Sequence, residues 1–254
     1  MSPPRVEFVV GGVQKGGTTA LAKFLACHPG LALPRDKEAH VFDAPDFDEG
    51  WSAADVDAWY AAHFGDVTTA VPRIHGDATP VYVFLPRIVR RIAAYNPRMR
   101  WVLILRHPVE RAYSHYRMER QRGWESWPFW PAMLLERWRL RGHLDDLAPR
   151  SPLRRHSYRR RGDYAAQLSN LYAHFPREQV LVLRNEELAA APAETLARVC
   201  RFLGVEPVAD MTFPRVFEGG YPPLPRRGLR WRVLSWLLRR EMATARTQFG
   251  LDWA

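Results

Sequence analysis

The chain alternates between short, nearly unbroken apolar runs and longer stretches in which apolar residues recur every three to four positions. "VEFVV" (6–10), "WVLIL" (101–105) and "QVLVL" (179–183) have strand length and show no polar face. A helix is predicted from about Thr18 to His28; "VFLPRIVRRIAAYNPRM" and "YAAQLSNLYAHFP", which precede the second and third runs, also have helical spacing. Apolar strands alternating with helices predict an α/β three-layer sandwich around a central parallel sheet covered on both faces. Ligands of such sheets bind beyond the carboxyl ends of the strands. There lie "GGVQKGGTTAL" (11–21) and "RHP" (106–108). "RWRVLSWLLRREMATARTQFG" (230–250) reads as one basic amphipathic helix packed on the domain rather than on a membrane surface.

Composition narrows the class. With 254 residues, 47% of them apolar, the chain suffices for one substantial domain over 1–254. No apolar run approaches the roughly 20 residues of a membrane span. Arg5, Glu7 and Lys15 break up any signal-like stretch, and Cys27 and Cys200 make neither a disulfide framework nor a metal cluster. A cytoplasmic location is the expectation. The net charge is +10, with 34 arginines against three lysines. Arginine-rich codon usage accounts for that skew and makes the lysines informative. Lys15 lies in the glycine loop, Lys37 lies in "KEAHVFD", and Lys23 falls outside both. Positive charge by itself attracts anions of many kinds, nucleic acid included.

The glycine loop asks for a phosphate. Glycines let backbone approach a ligand closely, and a following helix start presents N–H groups and partial positive charge. The nucleoside-triphosphate loop G-x-x-x-x-G-K-[ST] fits only in part. Gly11 and Gly16 keep the glycine spacing, but Gly17 stands where the lysine belongs, and the lysine is Lys15. Such an enzyme also needs a carboxylate for magnesium after a strand, where this chain has Arg106. A magnesium-dependent small-molecule kinase or NTPase is therefore the weaker reading. A non-catalytic polyanion-binding protein, drawing on the +10 charge, is a third.

Further motifs point one way. "GGVQKGGTTAL" is similar to the 5′-phosphosulfate loop of the sulfotransferases that use 3′-phosphoadenosine 5′-phosphosulfate (PAPS). "LILRHPVERAYSHY" resembles their 3′-phosphate motif, with Arg106 and Ser114 eight residues apart. "KEAHVFD", "GDATPVYVF", "RGDYAAQLSNLYAHFPREQVLVLRNEEL", "CRFLGV" and "GGYPPLP" resemble the branch of heparan sulfate N- and 3-O-sulfotransferases and their bacterial relatives. The likeness runs from about residue 6 to the C-terminus and implies a P-loop NTPase-like sulfotransferase fold.

The resemblance implies transfer of a sulfuryl group from PAPS to a hydroxyl, less readily an amine, of a glycan, lipid or secondary metabolite. The product would be adenosine 3′,5′-bisphosphate, and no metal is called for. It makes Glu38 the base, Lys15 the cation on the departing oxygen, and His40 and Asp43 the residues that orient acceptor or base. It assigns Lys15, Gly16, Gly17, Thr18, Thr19, Arg106, Ser114 and Tyr164 to the donor, with Arg226 or Arg227 replacing a basic residue missing from "FEGG" (217–220). Lys37, Asp77, Trp124 and Trp127 are the candidate acceptor contacts. Asp77-Ala78-Thr79-Pro80 lacks the active-site lysine of the heparan 3-O-enzymes, which puts a heparan acceptor in question. Partners expected are PAPS and the acceptor rather than nucleic acid; the sequence is also compatible with a homodimer.

The segment 122–161 differs in composition and reads as a variable, acceptor-side part of the domain. Trp124, Trp127 and Trp130, spaced by three, would share a helix side, line a groove or plug a core. Arg154, Arg155 and Arg159 to Arg161 would either attract an anionic acceptor or form a solvated loop.

Overall fold

The computed structural model describes residues 4–64, 73–208 and 222–253. In chain order its strands and α-helices are β1 (Val6–Gly12), α1 (Thr18–Ala26), β2 (Leu31–Ala32), α2 (Ala53–Ala61), β3 (Ile74–Asp77), α3 (Pro86–Tyr95), β4 (Arg100–Leu105) and α4 (Pro108–Gln121). They continue with α5 (Phe129–Leu134), α6 (Glu136–Arg139), α7 (Pro152–His156), α8 (Tyr164–Tyr172), β5 (Val180–Arg184), α9 (Asn185–Ala190), α10 (Pro192–Leu203), α11 (Leu229–Leu237) and α12 (Arg239–Phe249). The chain divides into two compact units, residues 1–105 with 170–217 and residues 106–169 with 218–254.

The first unit holds a five-stranded sheet in the order β2-β3-β1-β4-β5, every pairing parallel. Phe8, Val10, Val102, Ile104 and Leu183 point to one face, against Leu21, Phe24 and Leu25 of α1 and Leu196, Val199 and Leu203 of α10. The pleat sends Val9, Trp101 and Leu103 the other way, and they are equally buried. Burial on both faces explains why β1 and β4 are apolar without alternation; β5, at the end of the sheet, is half-buried at Leu181 and Val182. The expected α/β architecture is thus present, helices flanking a central parallel sheet.

Two strands escape that pattern. β2 has two residues, and β3 reads "IHGD", so neither offers an apolar run. β3 holds its place by pairing with β1, Val9 opposite Asp77.

In the second unit Val109, Ala112, Tyr113 and Tyr116 of α4 cluster with Phe129 and Met133 of α5, Tyr158, Leu234 and Leu238. The single C-terminal helix expected from the sequence is two, α11 and α12, divided at Leu238. Leu238 is 1% exposed, so the bend falls where the apolar stripe enters the core. Segment 122–161 is a built structure. Arg161 is 3% exposed, and its Nε donates to Ser157 Oγ at 2.8 Å. Arg159 Nη1 donates to the Met133 carbonyl at 3.1 Å and Arg154 Nη1 to the Leu147 carbonyl at 3.2 Å. Trp124 and Trp127 precede α5 and only Trp130 lies in it, so the three tryptophans share no helix. Among the described residues, no helix is long and apolar enough to cross a membrane.

Candidate active site

The glycine loop leaves the carboxyl end of β1 and is fixed against the tip of β4. The Val13 N–H donates to the Ile104 carbonyl at 3.1 Å, and the Gly16 N–H to the Val13 carbonyl at 2.8 Å. A Cβ on Gly16 would stand 2.2 Å from the Ile104 oxygen. Gly17, the residue before α1, has φ +111°, and a Cβ there would stand 2.4 Å from the Asn185 side-chain nitrogen. Only glycine fits both positions. No side chain caps α1, so the first-turn N–H groups, including those of Thr18 and Thr19, face the loop as donors. Lys15 takes a left-handed backbone conformation, φ 68°, within that loop. The loop thus gathers N–H, hydroxyl and ammonium donors beyond the end of β1, a set suited to an anion.

Beside β1, at the end of β3, the "KEAHVFD" segment is tied down by backbone bonds. The Ala78 N–H donates to the Lys37 carbonyl at 3.3 Å, and the Ala39 N–H to Asp77 Oδ1 at 3.3 Å. Lys37 and His40 also have positive φ, 66° and 53°. Non-glycine residues there cost about 1–3 kcal/mol and persist only where the surroundings over-determine them. Here those surroundings centre on Asp77. Its fully buried carboxylate accepts from the hydroxyls of Tyr82 (2.6 Å), Thr79 (2.8 Å) and Tyr60 (2.9 Å). Burial raises its pKa, against the pull of those donors. Asp77, an expected acceptor contact, is therefore enclosed and engaged with the protein's own donors.

His40 joins two carboxylates. Its Nδ1 lies 2.9 Å from Asp43 Oδ2 and its Nε2 3.3 Å from Glu38 Oε2, while Lys37 Nζ pairs with Glu38 Oε1. Burial disfavours the imidazolium, but hydrogen bonds to Asp43 and Glu38 outweigh it and raise His40 to about 9. Burial alone would raise Glu38; the His40 hydrogen bond and the Lys37 charge outweigh that and hold it at about 2. Near neutral pH Glu38 is therefore a carboxylate and His40 an imidazolium, with Lys37 and Asp43 at the two ends of the series.

The second unit carries the other cationic cluster. Arg106, Glu110 and Ser114 stand four apart, so the helical part of the series presents one side of α4. Arg106 Nε and Nη2 both lie 3.2 Å from Glu110 Oε2, and Arg226 Nη2 lies 3.3 Å from Glu110 Oε1. The Tyr164 hydroxyl donates to the Arg106 carbonyl at 2.7 Å. Burial pushes His107 down to about 4. The neutral ring then accepts from the Val109 N–H at 3.2 Å and packs, tilted by 48°, against Trp231. Ser114 is buried on α4 and Arg227 is exposed. Trp124 lies under the Arg155 guanidinium at 4.1 Å, and Trp127 stacks on Trp138 at 6.3 Å. The "FEGG" loop and the first residues of "GGYPPLP" lie outside the described residues.

A profile described as the sulfotransferase domain matches residues 6–213. The chain belongs to the sulfotransferase family. Human bifunctional heparan sulfate N-deacetylase/N-sulfotransferase 2 is 27% identical over 218 residues, 81% of this chain and 23% of that protein. Mouse heparan sulfate glucosamine 3-O-sulfotransferase 6 is 31% identical over 221 residues, 87% of this chain and 58% of that protein. The chain thus spans about a quarter to somewhat over half the length of these relatives. A crystal structure of a sulfotransferase from Alicyclobacillus acidocaldarius superposes with a TM-score of 0.76 at 27% identity, covering 98% of this chain and 97% of that one.

Within this member of the sulfotransferase family, sequence reasoning missed three kinds of residue. Glu110 was hidden because a carboxylate beside candidate anion-binding arginines signals nothing by itself. Tyr60 and Tyr82 read as ordinary core aromatics, and Asn185 opens a helix far along the chain. Their partners become visible only once the chain is folded.

Proposed function

We propose that this protein transfers the sulfuryl group of PAPS to an acceptor hydroxyl of a glycan, lipid or secondary metabolite. The observation that carries the reading is the Glu38–His40–Asp43 series standing on the sheet edge that also bears the glycine loop. Lys15, Gly16, Gly17, Thr18 and Thr19 would receive the phosphosulfate. Arg106 and Ser114, backed by Arg226, would receive the 3′-phosphate, Glu110 yielding its arginines as the phosphate enters. Tyr164 would set the Arg106 backbone for that contact. We infer one functional domain over 1–254.

In the reaction the acceptor oxygen forms a bond to sulfur while the bond from sulfur to the bridging phosphate oxygen breaks. The acceptor proton passes to Glu38, and the electron pair leaves with adenosine 3′,5′-bisphosphate. Positioning and charge stabilisation dominate such displacements. Lys15 offsets charge on the departing oxygen. His40, held by Asp43, keeps the Glu38 carboxylate aimed. A carboxylate held at about 2 is a weak base at neutral pH; departure of the Lys37 ammonium from Glu38 would restore part of its basicity before the proton is taken. Lys37 can then meet the acceptor or the transferring group.

The test is thermal unfolding with adenosine 3′,5′-bisphosphate in the absence of magnesium, beside ADP with magnesium. A stabilisation by the bisphosphate alone is expected. Stabilisation only by ADP with magnesium would overturn the reading in favour of a nucleotide kinase. Labelled PAPS with a panel of hydroxyl acceptors then identifies the acceptor.

A further inference from the structure

The charge of this protein is concentrated in one place. Residues 106–169 and 218–254 contain 21 arginines and ten carboxylates, a net +11. The first unit has sixteen cations and seventeen carboxylates, a net −1. Exposed apolar side chains follow the same division. Among the described residues, every large one except Val208 is in the second unit.

The densest group lies at the junction of α5 and α6. Leu134, Leu135 and Trp138 are 50%, 48% and 65% exposed, whereas Glu136 between them is 2% exposed. This inverts the usual order, in which leucine goes inside and glutamate outside. The inversion is built: Glu136 accepts the backbone N–H groups of Arg159 at 2.6 Å and Arg160 at 2.8 Å. That bond pair holds the turn with its apolar residues outward. Arg137 and Arg141 are exposed in the same stretch. On α11, Leu229 and Trp236 are 66% and 59% exposed, seven residues apart and so on one helix side. Arg232, Arg239 and Arg240 are exposed beside them, the Arg239 guanidinium 4.3 Å from the Trp236 ring.

We propose that the second unit docks on the surface of an anionic lipid bilayer, with Leu134, Leu135 and Trp138 entering the headgroup layer and Leu229 and Trp236 forming a second contact. Arginine with tryptophan and leucine is the composition of interfacial anchors, the cations meeting lipid phosphate and the apolar groups the upper acyl chains. A soluble polyanion would satisfy the arginines but gain nothing from burying leucines. A second copy of the chain would bring +11 against +11. The contact concerns where the protein works and does not depend on the proposed reaction.

Co-sedimentation with phosphatidylcholine vesicles, with and without phosphatidylglycerol, tests this directly. The protein is expected to pellet with the anionic vesicles and remain in solution with the zwitterionic ones. Replacing Leu134, Leu135 and Trp138 together by serine should lower the partition by at least about tenfold, with the thermal unfolding transition retained. If the triple variant loses that transition, Leu135→Glu alone serves, its side chain being exposed. Equal binding by the folded variants, or capture by heparin with no vesicle binding, overturns the proposal.

Discussion

Glu110 pairs with Arg106, its Oε2 3.2 Å from both Nε and Nη2. On the proposed assignment of Arg106 to the 3′-phosphate, the carboxylate competes with the ligand for the guanidinium; its other oxygen engages Arg226. Glu110→Gln should strengthen binding of adenosine 3′,5′-bisphosphate by up to about fivefold, the scale of a partly exposed ion pair. Arg106→Ala should weaken it by about 10- to 100-fold, the scale of a charge-assisted hydrogen bond. Titration calorimetry reads both; opposite signs are required.

Glu38→Gln preserves shape and removes the base. Turnover should fall about 100- to 10,000-fold, while bisphosphate affinity stays within twofold of the parent, roughly the scatter of such differences. A variant that turns over at the parental rate excludes Glu38 as the proton acceptor.

Lys37→Met removes one of the two groups, after the His40 hydrogen bond, that together hold the Glu38 pKa at about 2. The acidic limb of kcat/KM against pH should therefore move upward in the variant. A limb that does not move means Lys37 leaves the base strength of Glu38 untouched. His40 gives the opposite end of the scale. Its folded-state pKa is raised from 6.5 to about 9. The stability it contributes is complete below pH 6.5 and is lost as pH rises through about 9. Melting temperatures taken across that window should fall more for the parent than for His40→Ala.

Asp77→Ala leaves three hydroxyls and the Ala39 N–H without their acceptor in a buried place. Each orphaned group costs about 1–3 kcal/mol, so a loss of at least about 3 kcal/mol is expected. Urea unfolding measures it. Unchanged stability would mean the network contributes nothing net.

The large elements were legible because their physics is local. β1 and β4 are buried on both faces and β5, at the end of the sheet, is partly so; continuous apolar sequence is the direct imprint of that burial. The loop at Gly16 and Gly17 was equally plain, since two contacts there exclude any side chain. β3 was not, because its polar Asp77 is made acceptable by tyrosines 17 residues before and five after it. The arginines of 154–161 read either as a site for an anionic acceptor or as a solvated loop, yet Arg161 is buried and bonded to Ser157. Arginine reads the same in sequence whether it lies outside or inside. The same blindness concealed Glu110 and the inverted turn at Glu136.

Three residues of the proposed site, Lys15, Lys37 and His40, hang from left-handed backbone that glycine would adopt freely. The polypeptide therefore keeps its reactive groups at the expense of its own robustness. Lys15→Gly should melt later than the parent while transferring sulfuryl groups far more slowly. Selection for heat resistance alone would erode the proposed site from its centre outward.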